Sequence, residues 1–261
     1  MNETDSRLGR ILLLGKNFGN YGAVDSTLVG AEAAAAISVG ADTNSPSKRF
    51  KDDIEVDNED AMCLIVAPDW VGMAVADAHY GPESSHMLIE RLHQIWSKIR
   101  PSNPTHMAEM VEFLSQGDPA RTESETTLLL VAYDRRSRHG FGLNFGDSTF
   151  AITGPDRPHR RINPQDHRFV AANQRGSLRH GTEFSFTASP GDLLMIYTDG
   201  INECHYRNPQ TSLQEHHIDE VARHSDFEPL RVVNTVANMA LAGVDGYPGG
   251  QDNIVLGAAR A

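Results

Sequence analysis

Apolar runs follow one another in this chain with only turns between them, and that pattern narrows the folds open to it. Thr126 to Tyr133 and Gly140 to Phe145 flank the basic turn Asp134-Arg135-Arg136-Ser137-Arg138-His139, and Thr149-Phe150-Ala151-Ile152 resumes the strand pattern after Gly146-Asp147-Ser148. Upstream, Met62-Cys63-Leu64-Ile65-Val66 and Val71-Gly72-Met73-Ala74-Val75-Ala76 are joined by Ala67-Pro68-Asp69-Trp70, with proline and aspartate where turn chemistry favours them. Strand following strand without intervening helices predicts antiparallel sheets rather than a doubly wound fold.

Helices are predicted at two places. Leu88, Ile89, Leu92, Ile95, Trp96 and Ile99 recur at helical spacing, with Ser84 or Ser85 as N-cap candidates and Pro101 past the end. His86 and His93 on this helix read as flank residues of its buried stripe, because no third ligand shares their spacing. A second helix is expected from about Pro229 to Leu241, carried by Leu230, Val233, Val236 and Met239. Before it, the turn Ser189-Pro190-Gly191-Asp192 leads into Leu193-Leu194-Met195-Ile196-Tyr197, a continuous apolar run of the kind buried on both faces. Ile254-Val255-Leu256-Gly257 closes the chain as a strand.

Other stretches carry weaker signals. Residues 1–34 show no sustained period; Ala31 to Ala36 favours helix by propensity, whereas Ile37-Ser38-Val39-Gly40 has strand character, so both readings stay open. Thr43 to Asp57 is polar and reads as a loop. Residues 154–182 read as a long irregular insert rich in arginine, with Arg157, Arg160, Arg161, Arg168, Arg175 and Arg179 against Asp156 and Asp166.

Length and charge bound the function. A chain of 261 residues fits one large domain, here residues 1–261. Its formal net charge of −12 argues against nucleic acid or an anionic membrane as partner, since both need a dominant positive field. Cys63 and Cys204 form no disulfide framework, and the run Arg10 to Gly15 is too short for a signal-peptide core, so a cytoplasmic location is expected.

Three aspartates stand at the ends of apolar segments: Asp77 in Ala76-Asp77-Ala78-His79-Tyr80-Gly81, Asp199 in Thr198-Asp199-Gly200, and Asp252 in Gln251-Asp252-Asn253. Any one of them alone is a turn residue. Their shared context predicts carboxylates delivered to one sheet edge, where they would repel each other unless cations neutralise them. Hard divalent ions such as Mg²⁺ or Mn²⁺ want that oxygen donor set.

Taken in order, Asn58-Glu59-Asp60-Ala61, Asp77-Ala78-His79-Tyr80-Gly81, Gly146-Asp147-Ser148, Gly191-Asp192-Leu193-Leu194 with Thr198-Asp199-Gly200, and Asp252-Asn253-Ile254 resemble the metal-dependent serine/threonine protein phosphatases, the PPM (type 2C-like) family, over roughly residues 35 to 260. The resemblance implies an α+β fold: a four-layer α/β/β/α sandwich of two antiparallel sheets with helices on both outer faces. It implies two Mg²⁺ or Mn²⁺ ions held by Asp77, the Ala78 carbonyl, Asp199 and Asp252, with Glu59 and Asp60 acting through waters and Asp147 at a third metal position. It gives His79 the role of protonating the departing serine or threonine oxygen, and a phosphorylated protein as the substrate.

Departures from the family pattern are equally specific. Ala78 and Tyr80 replace two glycines, and Glu55 stands near the place of the usual phosphate-binding arginine. Lys48, Arg49 or Lys51 would have to substitute, or Arg160 and Arg161 of the insert, which falls where the family carries a variable flap and is expected to dock acidic or phosphorylated segments. These departures motivate a second reading, a pseudophosphatase that recognises phosphoproteins without turnover. A third is hydrolysis of a small phosphoester.

Overall fold

The computed structural model describes residues 8–44, 57–115, 124–171 and 181–261. In chain order the strands are β1 (Gly9–Leu14), β2 (Asp25–Val29), β3 (Ala33–Ser38), β4 (Ala61–Val66), β5 (Trp70–Ala76) and the short β6 (Ala78–His79). Helices α1 (Glu83–Trp96) and α2 (Pro104–Ser115) come next, then β7 (Glu125–Thr126), β8 (Leu128–Asp134), β9 (His139–Phe145), β10 (Thr149–Gly154), β11 (Arg157–Arg161), β12 (Thr182–Thr187) and β13 (Leu193–Tyr197). The chain ends with α3 (Glu215–His224), α4 (Pro229–Ala242) and β14 (Ile254–Arg260).

One six-stranded sheet runs β1-β4-β5-β8-β9-β12 and the other β11-β10-β13-β14-β3-β2. Neighbours in both are antiparallel, as the hairpins β4–β5 and β8–β9 illustrate. The apolar residues divide into three layers. Between the sheets lie Met62, Leu64, Met73, Val75, Leu129, Val131, Phe150, Ile196 and Val255. Outside the first sheet, Cys63, Ile65, Ala74 and Leu130 meet Leu88, Leu92 and Trp96 of α1 and Met107 and Val111 of α2. Outside the second, Met195, Leu256 and Ala258 meet Ile218 of α3 and Val233 and Val236 of α4. Alternate residues of a strand therefore enter different cores, which is why β4, β5, β8 and β13 read as unbroken apolar runs. The result is the α/β/β/α sandwich expected from the resemblance.

Several elements depart from the reading of the sequence. Ala33 to Ser38, left open between helix and strand, is strand: β3 is buried between β14 and β2, and its small side chains pack against α4 on one side and the inter-sheet core on the other. Here pairing and burial override alanine's helix preference. Residues 1–34, which had no clear period, contain β1 and β2. The arginine-rich stretch 154–182 is not irregular throughout. Its first part, β11, pairs with β10, and it ends by entering β12, the partner of β9. Helix α1 begins after Pro82, and Ser84 and Ser85 lie inside it rather than at the cap: Ser84 Oγ donates to the Ser124 carbonyl at 2.6 Å and Ser85 Oγ to the Glu59 carbonyl at 2.5 Å. Helices α2 and α3 were not anticipated. Among the described residues no helix is long and apolar enough to cross a membrane.

Candidate metal centre

Strand ends from both sheets meet at one edge of the sandwich. A cleft of about 370 Å³ there is lined by Glu59, Asp77, Ala78, His79, Tyr80, Asp147, Phe169, Asp199, Glu203, Tyr206 and Asp252. Asp77 follows the last residue of β5, and its backbone is held on both sides by Thr127: the Asp77 N–H donates to Thr127 Oγ1 at 3.0 Å and the Thr127 N–H to the Asp77 carbonyl at 2.8 Å. Asp199 follows β13 and Thr198, whose hydroxyl donates to Asp60 Oδ2 at 2.7 Å and accepts from the Val255 N–H at 3.2 Å. That hydroxyl ties both sheets together directly behind the cleft.

The approach of Asp199 to Asp252 depends on a glycine. A Cβ on Gly200 would lie 1.7 Å from the Asn253 carbonyl oxygen, so the Thr198-Asp199-Gly200 turn can close on Asp252-Asn253 only without a side chain there. Asn253 then locks the other side: its Oδ1 accepts from the Glu59 N–H at 3.1 Å, and its Nδ2 donates to the carbonyls of Val39 at 3.2 Å and Asp57 at 3.1 Å. Glu59 reaches into the cleft with its Oε1 accepting from the Gly81 N–H at 2.7 Å, while Asp60 is buried behind it.

Electrostatics make this an uncomfortable place for carboxylates alone. Although part of Asp199 faces the cleft, burial pushes its carboxyl well above the usual carboxylate range, and the neighbouring charges of Asp77, Asp252 and Asp147 push the same way. Its Oδ1 is buried without a hydrogen-bond partner among the described residues. Glu203 is raised too, by burial and then by Asp147 and Asp252. Among the described residues no three His, Cys, Asp or Glu side chains already close on a single point as a ready coordination shell. The donors line one cavity, and their mutual repulsion opposes tighter gathering without a cation. An orphaned buried carboxylate oxygen and an all-oxygen donor set fit hard divalent cations.

Most of the residues singled out in the sequence meet here: Asp77, Ala78, His79, Asp147, Asp199, Asp252 and Glu59 line the cleft, and Asp60 backs it. Arg160 and Arg161 do not line it. Arg160 is exposed on β11, whereas the guanidinium of Arg161 is half-buried and engaged with backbone, its Nε donating to the Asn163 carbonyl at 3.1 Å and an Nη2 to those of Asp147 at 3.0 Å and Ser148 at 3.1 Å. Arg161 thus braces the Asp147 loop, and a side chain so engaged presents little charge for docking. Lys48, Arg49, Lys51 and Glu55 lie outside the described residues, as do Arg175 and Arg179. Sequence reasoning did not find Glu203, Phe169 or Tyr206. Glu203 had a signal, for it stands one turn beyond Asp199, and its N–H closes that turn on the Asp199 carbonyl at 2.6 Å.

Comparison with known proteins agrees with this fold. The family described as Stage II sporulation protein E (SpoIIE) matches residues 74–260, most of the chain. The chain belongs to the SpoIIE family. Among solved structures, the Mycobacterium tuberculosis serine/threonine phosphatase PstP/Ppp superposes with a TM-score of 0.64 at 14% identity, covering 91% of this chain and 98% of that one. A catalytic domain of serine/threonine phosphatase PstP in complex with two manganese ions gives 0.61 at 16% identity, over 97% of this chain and 98% of that one. RsbX in complex with magnesium gives 0.56 at 12% identity, over 91% and 99%. At such identities the likeness shows the fold. No curated protein matches the sequence. The SpoIIE family and these neighbours are of the type 2C phosphatase kind, in line with the resemblance drawn from the motifs.

Proposed function

We propose that this SpoIIE-family protein is a metal-dependent phosphoprotein phosphatase that hydrolyses phosphoserine or phosphothreonine. The observation that carries this reading is the convergence of Asp77, Asp147, Asp199 and Asp252, from widely separated segments, on one cleft that also holds His79. Two of the structural neighbours are described with manganese or magnesium bound, which supports the choice of cation.

In this reading Asp77, the Ala78 carbonyl, Asp199 and Asp252 hold two Mg²⁺ or Mn²⁺ ions, with Asp147 at a third position. When bound, such ions supply Lewis-acid activation of a water nucleophile and positive charge against the phosphoryl oxygens. The chain's own groups do the rest. Glu59 is fixed through Gly81 and Asn253, and Asp60 through Thr198, where both would act on bound ions through waters. His79 is exposed at the cleft and its ring stands edge-on to Phe169, with centroids 5.1 Å apart. It holds the proton delivered to the departing seryl or threonyl oxygen.

The test is Mn²⁺-dependent hydrolysis of a phosphothreonine peptide and of an aryl phosphate, with Asp199→Asn as control and Mn²⁺ binding followed by calorimetry. Peptide turnover that Asp199→Asn abolishes supports the proposal. Mn²⁺ binding without turnover of either compound sinks it in favour of a phosphoprotein-recognition scaffold, and turnover of the aryl phosphate alone points to small phosphoesters.

A further inference from the structure

The mouth of the cleft is aromatic, and an exposed ring there sits on left-handed backbone. Tyr80 adopts a φ of 62°, in the left-handed region, while its side chain is 62% exposed. A bulky residue there is an outlier. Phe227 shares that conformation at a φ of 53°, but its ring packs against the α3–α4 core, and burial offsets the strain. Among the described residues the Tyr80 ring meets the tilted His79 ring at 6.5 Å between centroids, and most of the side chain stays in solvent. A glycine would hold the same backbone at lower cost, so the ring's value has to be sought in what it meets from outside.

What lies beside Tyr80 indicates that ligand. Phe169 and the 38%-exposed Tyr206 line the same cleft. The other lining side chains are His79 and carboxylates, and no lysine or arginine is among the described residues that line it. Such a mouth offers rings for apolar segments. Resting on the phosphatase reading above, we propose that Tyr80 is a specificity-determining residue: its ring packs on an apolar residue adjoining the phosphorylated side chain, so that the enzyme selects phosphosites in apolar-flanked protein segments.

Aromatic packing of this kind is worth about a fivefold to tenfold change in kcat/KM. The experiment compares two phosphothreonine peptides of equal charge, one flanked by leucine and phenylalanine and one by serine and glycine, on the Mn²⁺-loaded wild type, Tyr80→Phe and Tyr80→Gly. We expect the wild type and Tyr80→Phe to favour the apolar-flanked peptide by about that factor, and Tyr80→Gly to lose the preference while its Tm holds or rises. A wild type without preference, or a Tyr80→Gly that keeps it, overturns the inference. So does a Tm fall of more than about 3 °C in Tyr80→Gly, which would make the ring structural. Should the wild type turn over neither peptide, the phosphatase reading fails by itself. The ratio of the two peptides' Kd values, by fluorescence anisotropy on the same three proteins, then judges Tyr80 by the same criteria.

Discussion

Asp199 concentrates the cost of the cleft in one side chain. Its carboxyl is raised by burial and by three neighbouring aspartates, and its Oδ1 finds no hydrogen-bond partner among the described residues. In the metal-free protein the ionised form is therefore disfavoured, and a neutral amide of the same shape avoids its cost. Asp199→Asn is expected to raise the Tm in EDTA by about 2–4 °C, the equivalent of roughly 1 kcal/mol in a protein of this size. Added Mn²⁺ should stabilise the wild type and leave the variant unmoved. Differential scanning fluorimetry with and without Mn²⁺ reads both effects. A variant that melts below the wild type in EDTA would mean that the carboxylate repulsion is not what the cleft stores. The residue was legible in the sequence because an apolar run ends on it, and strand ends are where carboxylates reach solvent. Tyr206 and Phe169 were not legible, since loops carry them into the cleft and only the tertiary path of those loops brings them near Asp252 and His79.

Among elements, the join between the two sheets governs the geometry of the site. Asn253 stands just before β14 and binds the Glu59 N–H ahead of β4, the Val39 carbonyl after β3 and the Asp57 carbonyl. One amide therefore connects strands of both sheets within reach of Asp252 and Glu59. Asn253→Ala strands buried backbone groups that water does not easily reach, at about 2–4 kcal/mol, and should weaken Mn²⁺ binding about tenfold or more through the displaced acidic groups. Urea denaturation and calorimetric Mn²⁺ titration measure the two losses separately. Lower stability with unchanged Mn²⁺ affinity would show that the amide serves the fold alone. At this scale the hairpins β4–β5 and β8–β9 were plain in the sequence because local turn chemistry and apolar runs agree. Strand β3 was ambiguous because alanine's local preference is opposed by burial between β14 and β2, a long-range fact. Helix α3 buries only Ile218, Val221 and Ala222 amid charge and histidine, so its apolar stripe is thin. Helix α2 did carry a period in Met107, Met110, Val111 and Leu114 and could have been read.

The whole molecule should respond to acid in two stages set by where its titratable groups are buried. His86 and His159 both lie inside, and burial lowers each ring to about 4 from an ordinary 6.5. Lys16 pushes His86 the same way, while Asp219 partly opposes the shift at His159. Each ring also leaves a buried nitrogen without a partner among the described residues, His86 Nε2 and His159 Nδ1, so protonation would bury an unmatched charge. Between pH 6.5 and 4 the unfolded chain therefore holds more protons than the folded one, and stability falls as pH falls through that window. The loss is at most about 3 kcal/mol per ring. Below it a second stage begins. Asp134, held down by hydrogen bonds from Ser137 and Arg100, and Asp166, held down by Arg168 and Thr182 against the cost of burial, both lie well below the usual carboxylate range, so their stabilisation is present above pH 3.8 and is lost as pH drops further. The raised carboxyls of Asp199 and Glu203 take up protons more readily in the folded chain and oppose the first stage. Urea midpoints are therefore measured in EDTA from pH 7.5 to 3.5 on the Asp199→Asn background, where they should decline from 6.5 to 4 and decline again below. His159 Nε2 lies 3.2 Å from the Tyr197 hydroxyl, and glutamine can keep a hydrogen bond there without titrating. His159→Gln is thus expected to flatten the first stage in part, His86 and the also lowered His93 supplying the rest; an unaltered slope between pH 6.5 and 4 would place the acid sensitivity elsewhere than in His159.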